Sequence, residues 1–212
     1  MTWLTRIRID YSHCARLGLK DNYAWHQALW EIFPGLDGEQ RPFLFRVNAG
    51  DYGSEVLLLS SVEPTRPQWC PDDSWATKAI NPEFFRHRYY RFDLKANATR
   101  KVTKLGPNGG PVKNGRRTVL SSERDLRDWI ERKAKQGGFR ILDKPTLVID
   151  PRTDYRFRKE NTSGLHVGVC FRGGLEVTES TQFVETFHLG IGSAKAFGFG
   201  LLLLQPIRLN LE

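Results

Sequence analysis

The stretch Gly190–Gly200, GIGSAKAFGFG, places four glycines in eleven residues between a short helical pattern, TQFVETFHL (181–189), and the apolar run LLLLQPI. Glycine loses more backbone entropy on folding than other residues. A cluster of it therefore marks positions with φ > 0 or a close approach to another backbone. A helix that hands over to a buried strand through such a loop reads as the close of an α+β unit, and the rest of that unit lies upstream. SSERDLRDWIERKAKQGG (121–138) has Leu126, Trp129, Ile130 and Lys133 at three-and-four spacing and ends at Gly137-Gly138, so it reads as a helix. FRILDKPTLVIDPRTDYRFRK (139–159) reads as strand and hairpin, and LHVGVCFRGGLEVTE (165–179) as strand material broken by a Gly-Gly bend.

The first half repeats the theme. TWLTRIRID (2–10) alternates with period two and reads as a strand, SHCARLGLK (12–20) as an irregular connection. DNYAWHQALWEIF (21–33) reads as a helix with Asp21 or Asn22 as N-cap and Pro34-Gly35 as the stop. FLFRVN and EVLLLSSV are two further strands, and YYRFDLKAN (89–97) is a strand with Tyr90, Phe92, Leu94 and Ala96 on one side. Residues 63–88, Pro-rich and aromatic, show no regular helix. Two β-α-β-β-α-β patterns in tandem imply an α+β protein of two ferredoxin-like (RRM-like) domains. The expected division is 1–97, a basic Gly-rich linker 98–117, and 118–212. The linker carries Arg100, Lys101, Lys104, Lys113, Arg116 and Arg117 and no acidic residue.

The chain has 212 residues and a formal net charge of +8, which favours an anionic partner. No apolar run is long enough to span a bilayer, and the N-terminus lacks the pattern of a signal peptide. Cys14, Cys70 and Cys170 are odd in number, widely spaced and in no C-x-x-C pair, so reduced thiols in a cytoplasmic protein are expected. The five histidines form no metal-ligand spacing, and the carboxylates of 122–136 are interleaved with Arg and Lys. No metal site is therefore expected, and no G-x-x-x-x-G-K-[ST] loop is present.

The helix at 21–33 is the best candidate for chemistry. Trp25, Ala28, Leu29 and Ile32 form its core stripe, while Tyr23, His26 and Trp30 fall on a second arc. An imidazole and a phenol one turn apart can move protons near neutral pH. The plainer alternative is an aromatic patch with His26 as a structural histidine. RTDYRFRKE (152–160) alternates Tyr155, Phe157 and Lys159 with Arg156 and Arg158, as a β-hairpin with a strongly basic face would. Gly192, Ser193 and Lys195 in the glycine loop offer backbone N–H groups and a cation to a phosphate.

Taken in order, DNYAWHQALWEIFPG, FDLKANATRKV, NGRRTVL, a helix ending in GGF and a terminal GIGSAKAFGFGLL resemble the Cas6e family, the CRISPR RNA processing endoribonucleases of type I-E systems, over nearly the whole chain. The resemblance implies metal-independent cleavage of a CRISPR repeat hairpin in precursor crRNA and retention of the product beside other subunits of a surveillance complex. It implies no small-molecule cofactor and no membrane. The family's helix tyrosine and histidine match Tyr23 and His26. Two positions depart from the pattern. Ala98 stands where many relatives have proline, and Glu31 means that a cation near the scissile phosphate must come from elsewhere. Arg100, Lys101, Lys104, Lys113, Arg116, Arg117, Arg156, Arg158 and Lys159, with the glycine loop, would then bind RNA, and His26 would serve as general acid or general base. A non-catalytic hairpin-binding subunit of the same fold is the competing reading.

Overall fold

The computed structural model describes residues 1–36, 39–102, 116–159 and 162–208. Its first sheet is built from β1 (Trp3–Asp10), β2 (Phe43–Ala49), β3 (Gly53–Ser60) and β4 (Trp75–Ala79), in the antiparallel order β2-β3-β1-β4. Two helices follow β1. The segment expected to be an irregular connection begins with a short helix, α1 (Tyr11–Arg16), because Asp10 accepts from the His13 N–H and caps it. α2 (Asn22–Trp30) is capped by Asp21, whose Oδ1 accepts from the Ala24 N–H at 2.8 Å. Trp25 and Leu29 are buried against Phe43, Phe45, Val56 and Leu58 from one face of the sheet.

A ferredoxin-like unit has a second helix between its third and fourth strands. Between Ser60 and Trp75 no α-helix forms, and only a 3-10 turn at Asp72–Ser74 interrupts the irregular path. Pro64, Pro67 and Pro71 remove the N–H donors that a helix would need. Trp69 and Cys70 fill the space instead, with Trp69 edge-on to Trp25 at 6.3 Å between centroids.

The second sheet is organised around β5 (Tyr89–Ala96) and the long β11 (Thr162–Val177). Its path is β10-β11-β5-β12, where β10 is Thr153–Lys159 and β12 is Leu202–Pro206. β8 (Phe139–Ile141) and β9 (Val148–Ile149) also pair with β11. With α3 (Glu123–Gln136) and α4 (Ser180–Leu189), the order β8-β11-β5-β12 completes a second ferredoxin-like unit. The fold is the tandem ferredoxin-like α+β arrangement expected.

Four expectations change. β5, counted with residues 1–97 as part of the first unit, is a central strand of the second sheet, paired with β11 and β12. The fourth strand of the first sheet is β4, from the segment read only as lacking a regular helix. Residues 98–117 are not a plain linker, because Thr99–Val102 (β6) pairs antiparallel with Arg116–Val119 (β7). β11 also runs through Gly173 and Gly174 without a bend, since Arg172, Gly173 and Gly174 stay in register with Asp93, Phe92 and Arg91.

The far face of the first sheet is covered as well. Leu44 and Leu59 pack with Phe187 of α4 and Leu201 beside β12, so the C-terminal elements close onto the N-terminal sheet.

Candidate active site and nucleic-acid interface

α2 presents Tyr23 and His26 one turn apart, both half-buried. The Tyr23 ring stacks on Phe197 of the glycine loop, with centroids 6.3 Å apart and planes at 29°. The His26 ring lies against Phe45 at 6.2 Å and Phe43 at 6.1 Å, with Trp30 edge-on at 6.3 Å. Burial among these rings, and secondarily the Arg41 charge, push its pKa from the ordinary 6.5 down to about 4. The imidazole is therefore neutral at pH 7.

The glycine loop meets the same helix. Asn22 donates from Nδ2 to the Phe197 carbonyl at 2.7 Å. A side chain at Gly198 (φ 77°) would meet Asn22 and Phe45 at 3.3 Å, and one at Gly190 (φ 73°) would meet Leu44 at 2.7 Å and the Gly200 carbonyl at 2.9 Å. The glycines thus serve both purposes read from the sequence, left-handed backbone and close approach. The other side of the loop touches the second sheet, through Gly200 N–H to the Lys95 carbonyl and a bridge between Asn97 and Ser193. The Ser193 hydroxyl is bonded to Asn97 (2.8 Å to Oδ1) and lies 3.2 Å from the Thr99 hydroxyl at the base of β6. Gly192 (φ 93°) packs against Trp129. Lys195 donates from Nζ to the Leu189 carbonyl at 2.6 Å, which holds its ammonium over the C-terminus of α4.

The basic hairpin β10–β11 docks at the same place. The second carboxylate oxygen of Asp21 accepts from the Arg158 backbone N–H at 3.1 Å, so one side chain caps α2 and holds β10. Phe157 turns inward, 4.4 Å from Phe197 and 5.0 Å from His166, while Arg156 and Arg158 are exposed on the outer face. Strand alternation separates the aromatic from the basic side as the sequence implied. Lys159 lies at the end of β10.

Arg100 and Lys101 are exposed on β6, and Arg116 and Arg117 lie on β7, with Lys101 opposite Arg117. Lys104 and Lys113 lie outside the described residues. Positive charges continue from this hairpin towards the glycine loop. Burial lowers the Lys133 pKa, with Arg132 and Arg117 adding to the effect. Burial likewise lowers that of Lys195, reinforced by Arg41 and Lys133. Arg41 and Lys133 are absent from the sites expected of the sequence. Arg41 precedes an apolar strand, and Lys133 belongs to a regular helical stripe, so neither carries a local signal. Among the described residues, no three of His, Cys, Asp and Glu gather in a way that would hold a metal ion.

Glycine loop, basic hairpin and a Tyr-x-x-His helix around one point are joined by a match to the family model described as CRISPR associated protein, over residues 2–206. The chain belongs to the Cas6e family of CRISPR-associated proteins. It is 27% identical over 221 residues to the CRISPR-associated endoribonuclease Cse3 of Thermus thermophilus, covering 96% of this chain and all of that one. To the CRISPR system Cascade subunit CasE of Escherichia coli K12 it is 30% identical over 198 residues, covering 91% and 96%. The solved structure of Cse3 bound to a 19-nucleotide RNA superposes with a TM-score of 0.75 at 25% identity, over 97% of this chain and all of that one. Among the described residues no helix of this Cas6e protein is long and apolar enough to cross a membrane.

Proposed function

We propose that this Cas6e protein cleaves precursor crRNA at a CRISPR repeat hairpin without a metal ion and stays bound to the product within a surveillance complex. The chain is an endoribonuclease, as its family is. One observation carries the reading. Tyr23 and His26 sit on α2 where the glycine loop (Asn22 to Phe197) and the basic hairpin (Asp21 to Arg158) both attach to that helix. A strand of RNA held by Arg156 and Arg158 and by the loop would pass over these two side chains.

RNA supplies its own nucleophile. The 2′-oxygen forms a bond to phosphorus as the bond from phosphorus to the 5′ oxygen breaks, leaving a 2′,3′-cyclic phosphate. His26, neutral in the free protein, is in the state that accepts the 2′-OH proton. That proton ends on the departing 5′ oxygen by way of solvent. Tyr23 orients the 2′-OH or the phosphate by hydrogen bonding. The Cascade subunit CasE among its relatives supports assembly with other subunits, and three free cysteines fit a reducing cytoplasm.

Incubation with a repeat hairpin in excess EDTA is expected to give complete cleavage, with a 2′,3′-cyclic phosphate on one product and a 5′-OH on the other. Strict Mg²⁺ dependence or a 5′-phosphate would overturn the mechanism.

A further inference from the structure

Arg41 lies in the connection between α2 and β2, two residues before Phe43. Its guanidinium carbon stands 5.6 Å from the centroid of the Phe43 ring, and that ring is 6.1 Å from the His26 imidazole. Its Nε is closed off from solvent and has no hydrogen-bond partner. Among the described residues no carboxylate pairs with it, whereas Arg46, Arg88 and Arg172 each have one. An N–H donor kept from water without a partner costs free energy, and the half-buried guanidinium keeps its charge at neutral pH.

The neighbours sharpen the point. Arg41 lies near enough to His26 and to Lys195 to disfavour positive charge on both. Lys195 is held over the C-terminus of α4 by the Leu189 carbonyl, and Glu31, at the C-cap of α2, provides no cation. Arg41 is thus a cation near His26 that, among the described residues, has neither a carboxylate partner nor a hydrogen-bond partner for its Nε. Its planar fork matches a phosphate better than a lysine would, and its place over the Phe43 ring restrains it in advance.

We infer that Arg41 is a phosphate-binding residue of the cleavage site, donating to a non-bridging oxygen of the scissile phosphate beside His26. The inference rests on the ribonuclease function proposed above. As the 2′-oxygen attacks, negative charge accumulates on the non-bridging oxygens, and a donor already aimed there stabilises the transition state more than the bound substrate. Arg41 forms no covalent bond and moves no proton. The side chain whose absence at position 31 left a gap is thereby supplied from the next connection.

Single-turnover cleavage decides it, with Arg41→Met and Arg41→Lys compared in the full chain, beside wild type and His26→Ala. Methionine keeps the stem over Phe43 and removes the charge; lysine keeps both stem and charge. Arg41→Met should lower the rate about 10²–10³-fold, while Arg41→Lys stays within about tenfold of wild type. Affinity for a repeat RNA with a 2′-deoxy nucleotide at the cleavage position should fall no more than about tenfold in either variant, because the charge acts mainly in the transition state. A wild-type rate in Arg41→Met, or equal losses in the two variants, overturns the role of Arg41 and leaves the wider mechanism standing. Absence of cleavage by wild type, or normal cleavage by His26→Ala, brings down both.

Discussion

His26 is where sequence, burial and chemistry meet. Four residues after Trp25, Leu29 faces the core; one after Trp25, His26 falls at the rim of that core, half-covered by Phe43, Phe45 and Trp30. Because burial holds its pKa near 4, the proton it would carry in an unfolded chain at its ordinary 6.5 is released on folding. The sign follows by linkage. The unfolded state binds more protons between pH 6.5 and 4, so this residue's contribution to stability is intact above 6.5 and is lost as pH falls through that window. Replacing His26 by alanine should remove that part of the acid sensitivity, as followed by thermal melts between pH 4 and 7. The same substitution should slow single-turnover cleavage at least about 10²-fold while RNA affinity changes only a few-fold. At subsaturating RNA the wild-type rate should be flat from neutral pH down to the approach to His26's own titration. A rate that rises steadily as pH falls from 8 would assign His26 the opposite role, that of acid.

At the scale of elements, side chains tie the edge strand β2 of the first sheet to the central strand β5 of the second. Arg46 on β2, only 8% exposed, donates to Asp93 on β5 at 2.6 Å and to Asn48 at 2.8 Å. Lys95 on β5, 6% exposed, donates to the Val47 carbonyl at 2.6 Å and lies 5.2 Å from the Tyr155 ring centroid. Arg46 is thus paired with the carboxylate of Asp93, while Lys95 crosses the seam to a backbone carbonyl. Burial, then Arg46, lowers the Lys95 pKa to about 8, and Asp93 opposes that. Asp93→Asn should cost roughly 1–3 kcal/mol, the range for losing a charge-assisted hydrogen bond at a largely buried group. It should also move the Lys95 pKa further down. Urea unfolding with an unchanged m-value measures the first, and a midpoint equal to wild type would mean that the seam is held by apolar packing of Leu44, Leu59 and Phe187 alone.

For the whole molecule, the net charge of +8 is distributed so that its partnered and free parts differ. Arg88 and Arg140 are taken up by the buried Glu176, and Arg172 by Asp150, so these cations serve the fold. Arg156, Arg158 and Arg117 are exposed on paired strands on either side of the glycine loop. Alanine at each should weaken hairpin binding and reduce the slope of log K against log [salt] by roughly 0.7–0.9 for every phosphate no longer bound. Titration at several salt concentrations, against a repeat hairpin and an unstructured RNA of equal length, measures both effects. The arginines of β10 should also shift the preference between the two RNAs, because a strand pinned to α2 through Asp21 presents a fixed shape. Unchanged slopes in all three variants would place the RNA on another surface.

The elements themselves were legible in the sequence because each is a local periodicity. The stripe Trp25, Leu29 and Ile32 predicted the buried side of α2 and so the arc of Tyr23 and His26, and the alternation of Tyr90, Phe92, Leu94 and Ala96 predicted a strand with one buried face. Alternation names a face and not a partner, so it could not tell that β5 belongs to the second sheet. Proline spacing warned that residues 63–88 hold no regular helix, but only the structure shows β4 within them and Trp69 and Cys70 filling the place of a helix. The glycine loop announced left-handed backbone; that its neighbours are Asn22, Leu44 and Phe45 was decided by the closing of the C-terminal elements onto the first sheet. Arg41 had no signature at all. A lone arginine before a strand is ordinary, and what sets it apart is a missing partner, a property of the three-dimensional surroundings that no spacing along the chain encodes.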